Sequence, residues 1–165
     1  IRQAFEEVTD EPSPGYGIDG CSAPNFATSV KGLARAMAAF ANPQGGARGD
    51  AMRRLVAAMV AHPDLVAGET RACTDLMRAM GGRVAVKTGA EAVFVAIAPD
   101  RGLGIALKVA DGATRASEAA ITALLVRLGL LDAGHPVVGK YLTDPLRNWR
   151  GIAVAERRLA TGFDA

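Results

Sequence analysis

Serine is scarce in this chain. Ser13, Ser22, Ser29 and Ser117 are the only four among 165 residues, and none is followed three positions later by lysine. A self-contained Ser-x-x-Lys hydrolase, in which lysine activates the serine hydroxyl, therefore cannot be built from these residues. Histidine is scarcer still: His62 and His135 each precede a proline and lack the spacing of metal ligands. His62 reads as a helix C-terminal residue that complements the macrodipole, and His135 as a loop residue. No block of like charge occurs, since 19 basic residues face 17 acidic ones for a net +2, so the electrostatic footprint of a nucleic-acid binder is missing. Every apolar run is interrupted short of the roughly 18 residues that a membrane span requires. The two cysteines, Cys21 and Cys73, lie far apart in unlike surroundings. That pattern predicts a reduced, cytoplasmic protein without disulfides. Gly45-Gly46 lacks both the preceding strand and the Lys-Ser/Thr ending of a phosphate loop. The chain starts at Ile1 with neither methionine nor a signal segment, which reads as a boundary where preceding residues were removed.

What is present predicts one domain with a core that needs no staples, since half of the residues are apolar. Residues 1–10 carry Ile1, Phe5 and Val8 at helical spacing before Pro12 and Pro14 end the pattern. Residues 16–25, with two glycines and a proline, read as a tight irregular loop. A helix from Thr28 buries Leu33, Met37 and Phe40. A second, over 49–62, buries Met52, Leu55, Val56, Met59 and Val60, and Pro63 breaks it. A third, over 70–80, buries Cys73, Leu76, Met77 and Met80 and is closed by Gly81-Gly82. Segments 83–87, 92–98 and 103–109 read as strands, the last two joined by the turn Pro99-Asp100-Arg101-Gly102. The middle strand is apolar on both faces, which places it at the centre of an antiparallel sheet covered on both sides. A helix over 115–130 packs on that sheet through Ile121, Leu124, Leu125 and Leu128, and residues 149–159 form a last strand or helix. The fold class is α+β.

Two segments could carry chemistry. In Gly17-Ile18-Asp19-Gly20-Cys21-Ser22-Ala23-Pro24 the glycines allow a carboxylate, Asp19, and a thiol, Cys21, to meet at one concave point. By spacing alone, Asp19-Gly20 reads first as a turn and Cys21 as a small buried residue. Zinc takes about four ligands, so Cys21 would need partners from elsewhere. In Val86-Lys87-Thr88-Gly89-Ala90-Glu91 a lysine ends a strand beside small residues. There it can stand next to a hydroxyl nucleophile and relay its proton, or else it is a solvated surface lysine. Glu91 reads as a hairpin or ion-pair residue, and the five methionines as core filler.

The order of these parts resembles the asparaginase II family. It is carried by residues 17–27 (Gly-Ile-Asp-Gly-Cys-Ser-Ala-Pro-Asn-Phe-Ala), by residues 84–94 (Val-Ala-Val-Lys-Thr-Gly-Ala-Glu-Ala-Val-Phe), by the hairpin and long helix, and by Asn148-Trp149-Arg150-Gly151. The resemblance spans about residue 15 to 155, and family members are roughly twice this length, so residues 1–165 resemble the C-terminal portion of a single domain. It implies a serine β-lactamase-like fold and the hydrolysis of L-asparagine to aspartate and ammonia through an acyl-enzyme whose serine lies outside this chain. On that basis Lys87 resembles a catalytic lysine beside a second serine, and Asp19 an acid of the substrate pocket and its chemistry. Cys21 resembles a substrate-side cysteine that binds zinc with a cysteine and a lysine from the missing half. A homodimer is implied for the full-length protein, and the isolated chain is expected to be inactive. The Lys-Thr-Gly segment also suits another serine acyl-hydrolase, a glutaminase or β-lactamase relative, and the lack of Ser-x-x-Lys suits a non-catalytic fragment. Two positions depart from the family pattern: Ser22 and Ala92 stand where many relatives have glycine.

Overall fold

The computed structural model describes residues 1–163. Helix α1 (Arg2–Thr9) leads to strands β1 (Tyr16–Ile18) and β2 (Pro24–Phe26), then to helices α2 (Val30–Ala41), α3 (Ala47–Ala61), α4 (Pro63–Ala67) and α5 (Ala72–Ala79). Strands β3 (Ala85–Thr88), β4 (Val93–Ala98) and β5 (Leu103–Lys108) follow, then helix α6 (Thr114–Arg127). The short α7 (Pro136–Val138) runs into a π-helical turn over Gly139–Thr143, and β6 (Leu146–Arg147) and β7 (Ala153–Ala155) form a hairpin after it. The class is α+β, as the sequence predicts.

Strand β4 is the middle of the antiparallel sheet β3-β4-β5, and Phe94 and Ala96 on one of its faces are wholly buried. Helix α6 covers that face with Ile121 and Leu125. Helix α2 covers the other, where Ile97 pairs with Gly104. The approach there is very close: a Cβ on Gly104 would sit 2.1 Å from the backbone nitrogen of Ala38. This position needs glycine for want of space. The same closeness alters the buried stripe of α2, whose most buried residues are the small Gly32, Ala36 and Ala41. Leu33, Met37 and Phe40, expected to be buried, flank the contact half-buried. Helix α5 is buried along Cys73, Leu76 and Met77, with Met80 just beyond its end, and Gly81 and Gly82 follow at φ 63° and 76°. In α3 only part of the expected stripe is buried: Met52 and Val56 are, but Leu55 is 56% exposed because the helix packs along a narrow edge.

Residues 16–25 differ from the expectation of an irregular loop. They form a hairpin in which Tyr16 pairs with Phe26, Gly17 with Asn25 and Ile18 with Pro24. Proline is tolerated there because both strands are edges. Two polar residues fix the hairpin's base. The Ser13 hydroxyl lies 2.8 Å from the carbonyls of both Gly15 and Ala27. The Glu11 carboxylate accepts from the Thr28 hydroxyl, the Ser29 N–H and the Ser29 hydroxyl, just where Ser29 caps α2 through the Gly32 N–H. Residues 149–159, left open between strand and helix, contain the strand β7. His62 lies between α3 and α4, and His135 caps α7 by accepting from the Val137 N–H at 3.2 Å.

Candidate active site

A cavity of about 680 Å³ opens between the β1-β2 hairpin, the first turns of α2 and the ends of β3, β4 and β5. Among the described residues, three charged side chains line it: Asp19, Lys87 and Lys108. The remaining lining is neutral, with Val30, Leu33, Val93 and Val95 forming its apolar wall.

Register explains how residues distant in sequence share this space. Lys87 pairs with Val95 across β3 and β4, and Lys108 pairs with Val93 across β4 and β5. Residues paired in this way point to the same face, and Val93 and Val95 are two apart on β4, so both lysines lie on the face that α2 covers further along. Lys87 Nζ donates to the Thr88 carbonyl at 2.7 Å, and Lys108 Nζ to the Val109 carbonyl at 2.5 Å. Asp19 enters from the hairpin turn. Its backbone N–H donates to the Ala23 carbonyl, its own carbonyl accepts from the Ser22 N–H, and its carboxylate accepts from the Gly20 N–H at 2.8 Å. Among the described residues, none of these three charged groups has an ion-pair partner within 4.0 Å.

Cys21 sits at the exposed tip of the hairpin, its thiol 3.7 Å from the Asp19 carboxylate, and it is not among the residues that line the cavity. Among the described residues, no three His, Cys, Asp or Glu side chains cluster as a metal would require. Asp19 and Cys21 therefore offer at most a part of a zinc ligand set. Cys73 stands behind the end of β3, buried as the sequence predicts. Its sulfur accepts from the Thr88 N–H at 3.2 Å, and burial pushes its thiol pKa up, against the opposing effects of that hydrogen bond and of Lys87.

The turn after Lys87 is strained. Gly89 donates to the Val93 carbonyl at 2.8 Å, and the intervening Glu91 and Ala92 are both left-handed, at φ 54° and 57°. Ser22 in the hairpin turn is left-handed too, at φ 67°. Ser22 and Ala92 thus both adopt the conformation that favours glycine. Sequence reasoning missed Lys108 and Glu11. Lys108 is visible only through strand register, and Glu11 sits in a proline-rich segment that gives no periodic signal.

Together, the α+β fold and this charged, open cavity define a protein suited to hold a small polar molecule. The chain matches the L-asparaginase II family over residues 1–159 and belongs to that family, whose members are amidohydrolases of the asparaginase type. No curated protein matches the chain. Among the described residues, no helix is long and apolar enough to cross a membrane.

Proposed function

We propose that this chain is the C-terminal portion of an L-asparaginase domain that converts L-asparagine to L-aspartate and ammonia through a serine acyl-enzyme, the serine lying outside these residues. The observation that supports this is the cavity shared by Asp19 and Lys87, which are separated by most of the intervening helical region. The serine oxygen attacks the side-chain carbonyl carbon, the carbon–nitrogen bond breaks, and the nitrogen leaves as ammonia after accepting a proton. Water then cleaves the ester and releases aspartate. Lys87, at the open end of β3, is the proton-relaying group beside the incoming hydroxyl. Asp19 offers its carboxylate to the substrate's α-ammonium. Cys21 would supply one thiolate to a zinc ion whose other ligands come from outside the chain, and such a metal would shape the substrate pocket.

The test is asparagine hydrolysis by the full-length protein and its Lys87→Ala variant. Loss of ammonia release in the variant is expected, and wild-type turnover would remove the reading. A second reading, another serine acyl-hydrolase, draws on Lys87-Thr88-Gly89 at the end of a strand. Comparing asparagine, glutamine and a penicillin as substrates separates the two. The isolated 165-residue chain is expected to release no ammonia, and robust release would place the nucleophile within it.

A further inference from the structure

We infer that Lys108 is the residue that holds the α-carboxylate of the substrate, and so makes the site selective for α-amino acids bearing a side-chain amide over simple amides. The inference rests on the asparaginase reading above. An amino acid at neutral pH carries one positive and one negative group, and burying either without a partner is costly. Among the described residues, the cavity presents one carboxylate, Asp19, and two ammonium groups, Lys87 and Lys108. In that reading Lys87 stands at the reacting end, next to Thr88, the last residue of the edge strand β3, and close to Gly89. That leaves Asp19 for the α-ammonium and Lys108 for the α-carboxylate.

Geometry supports the division. Lys87 and Lys108 lie on the same sheet face but on the two outer strands, with β4 and its Val93 and Val95 between them. A molecule lying over those valines meets one cation at each end. Lys108 is also free to do this. Among the described residues, its ammonium has only the Val109 carbonyl as a hydrogen-bond partner, and no carboxylate lies within 4.0 Å to neutralise it.

The experiment compares full-length wild type with Lys108→Met and Lys108→Arg on two amides, L-asparagine and 3-aminopropanamide, which is asparagine without its α-carboxylate. Losing a charge-assisted hydrogen bond is expected to lower the preference of Lys108→Met for asparagine, as the ratio of kcat/KM values, at least about tenfold, mainly through a higher KM. Lys108→Arg keeps most of the preference. An unchanged ratio in Lys108→Met, or an equal loss on both amides, overturns the assignment. Calorimetric titration of asparagine into the same proteins separates this proposal from the one it rests on. If wild type turns over no asparagine, the asparaginase reading fails. In that case, binding that is present in wild type and weakened in Lys108→Met upholds the Lys108 assignment, while absence of binding in wild type overturns it.

Discussion

The carboxylate of Glu11 holds Ser29 twice, accepting from its backbone N–H at 2.5 Å and from its hydroxyl at 2.9 Å. Since Ser29 caps α2 and Asp19 hangs from the hairpin just before it, this contact sets where the hairpin stands over the sheet. The packing leaves no slack: a Cβ on Gly32 would come within 2.5 Å of the same carboxylate.

Removing the charge should loosen the hairpin. The hydrogen bonds from Thr28 and Ser29 hold the Glu11 pKa below its ordinary value. A carboxyl with a depressed folded-state pKa contributes stability that is complete above its unfolded value, about 4.3, and is lost as pH falls through the folded value. Amide exchange in residues 16–26 is therefore expected to quicken, relative to α5, as the solution is acidified through that window. Glu11→Gln should show faster hairpin exchange already at neutral pH and a weaker dependence on acid. Identical hairpin protection in the two proteins at neutral pH would refute this role.

Ser22 and Ala92, two of the left-handed residues, should answer differently to glycine. A non-glycine residue in this conformation costs about 1–2 kcal/mol, and glycine returns part of the gain through the entropy of the unfolded chain. Ser22 is exposed, so Ser22→Gly is expected to stabilise by about 0.5–1 kcal/mol in urea unfolding. Ala92 is only 3% exposed, and losing its buried methyl costs about 0.8 kcal/mol, so Ala92→Gly should be close to neutral. A clearly destabilised Ser22→Gly would show that the serine side chain contributes something beyond its backbone angle.

The legible parts of the fold were those with a local period. Val93 to Ala98 announces a central strand because both faces are apolar, and Cys73, Leu76, Met77 and Met80 trace one buried stripe of a helix. The hairpin was not legible, because its strands are three residues each and owe their pairing to Ser13 and Glu11, which lie outside them. Leu55 misled because helical spacing shows which residues could share a face, not how wide the neighbouring surface is. For the candidate site, Asp19, Cys21 and Lys87 came from motif order. Lys108 needed the pairing of Val93 with it, which no short-range pattern encodes.

Away from the cavity, Tyr141 is expected to govern alkaline stability. Its hydroxyl donates to the Asp75 carboxylate at 2.6 Å, and Lys140 donates to the same oxygen at 2.5 Å. Burial, then the neighbouring carboxylate, push the Tyr141 pKa up to about 12, with Lys140 opposing. A phenol whose folded-state pKa is raised contributes stability that is complete below its unfolded value, about 10, and fades as pH rises towards the folded one. The urea midpoint should thus drop across that interval. Tyr141→Phe should lose roughly 1.5 kcal/mol at neutral pH and show a smaller alkaline drop. The same alkaline drop in both proteins would assign the effect to another group.

The two thiols should differ sharply in reactivity. Cys21 is exposed at the hairpin tip, whereas Cys73 is 1% exposed and its pKa is raised by burial, so little thiolate is available there for alkylation. Iodoacetamide is expected to modify one cysteine in the folded chain, and Cys21→Ser should abolish that reaction. Cys73 should react only after unfolding. Replacing it with alanine would strip the Thr88 N–H of its acceptor, at a cost of about 1–3 kcal/mol, and loosen the strand end that carries Lys87. Prompt alkylation of Cys73 in the native chain would mean that α5 does not seal the back of this strand, and Lys87 would then lack the rigid support that a proton-relaying lysine needs.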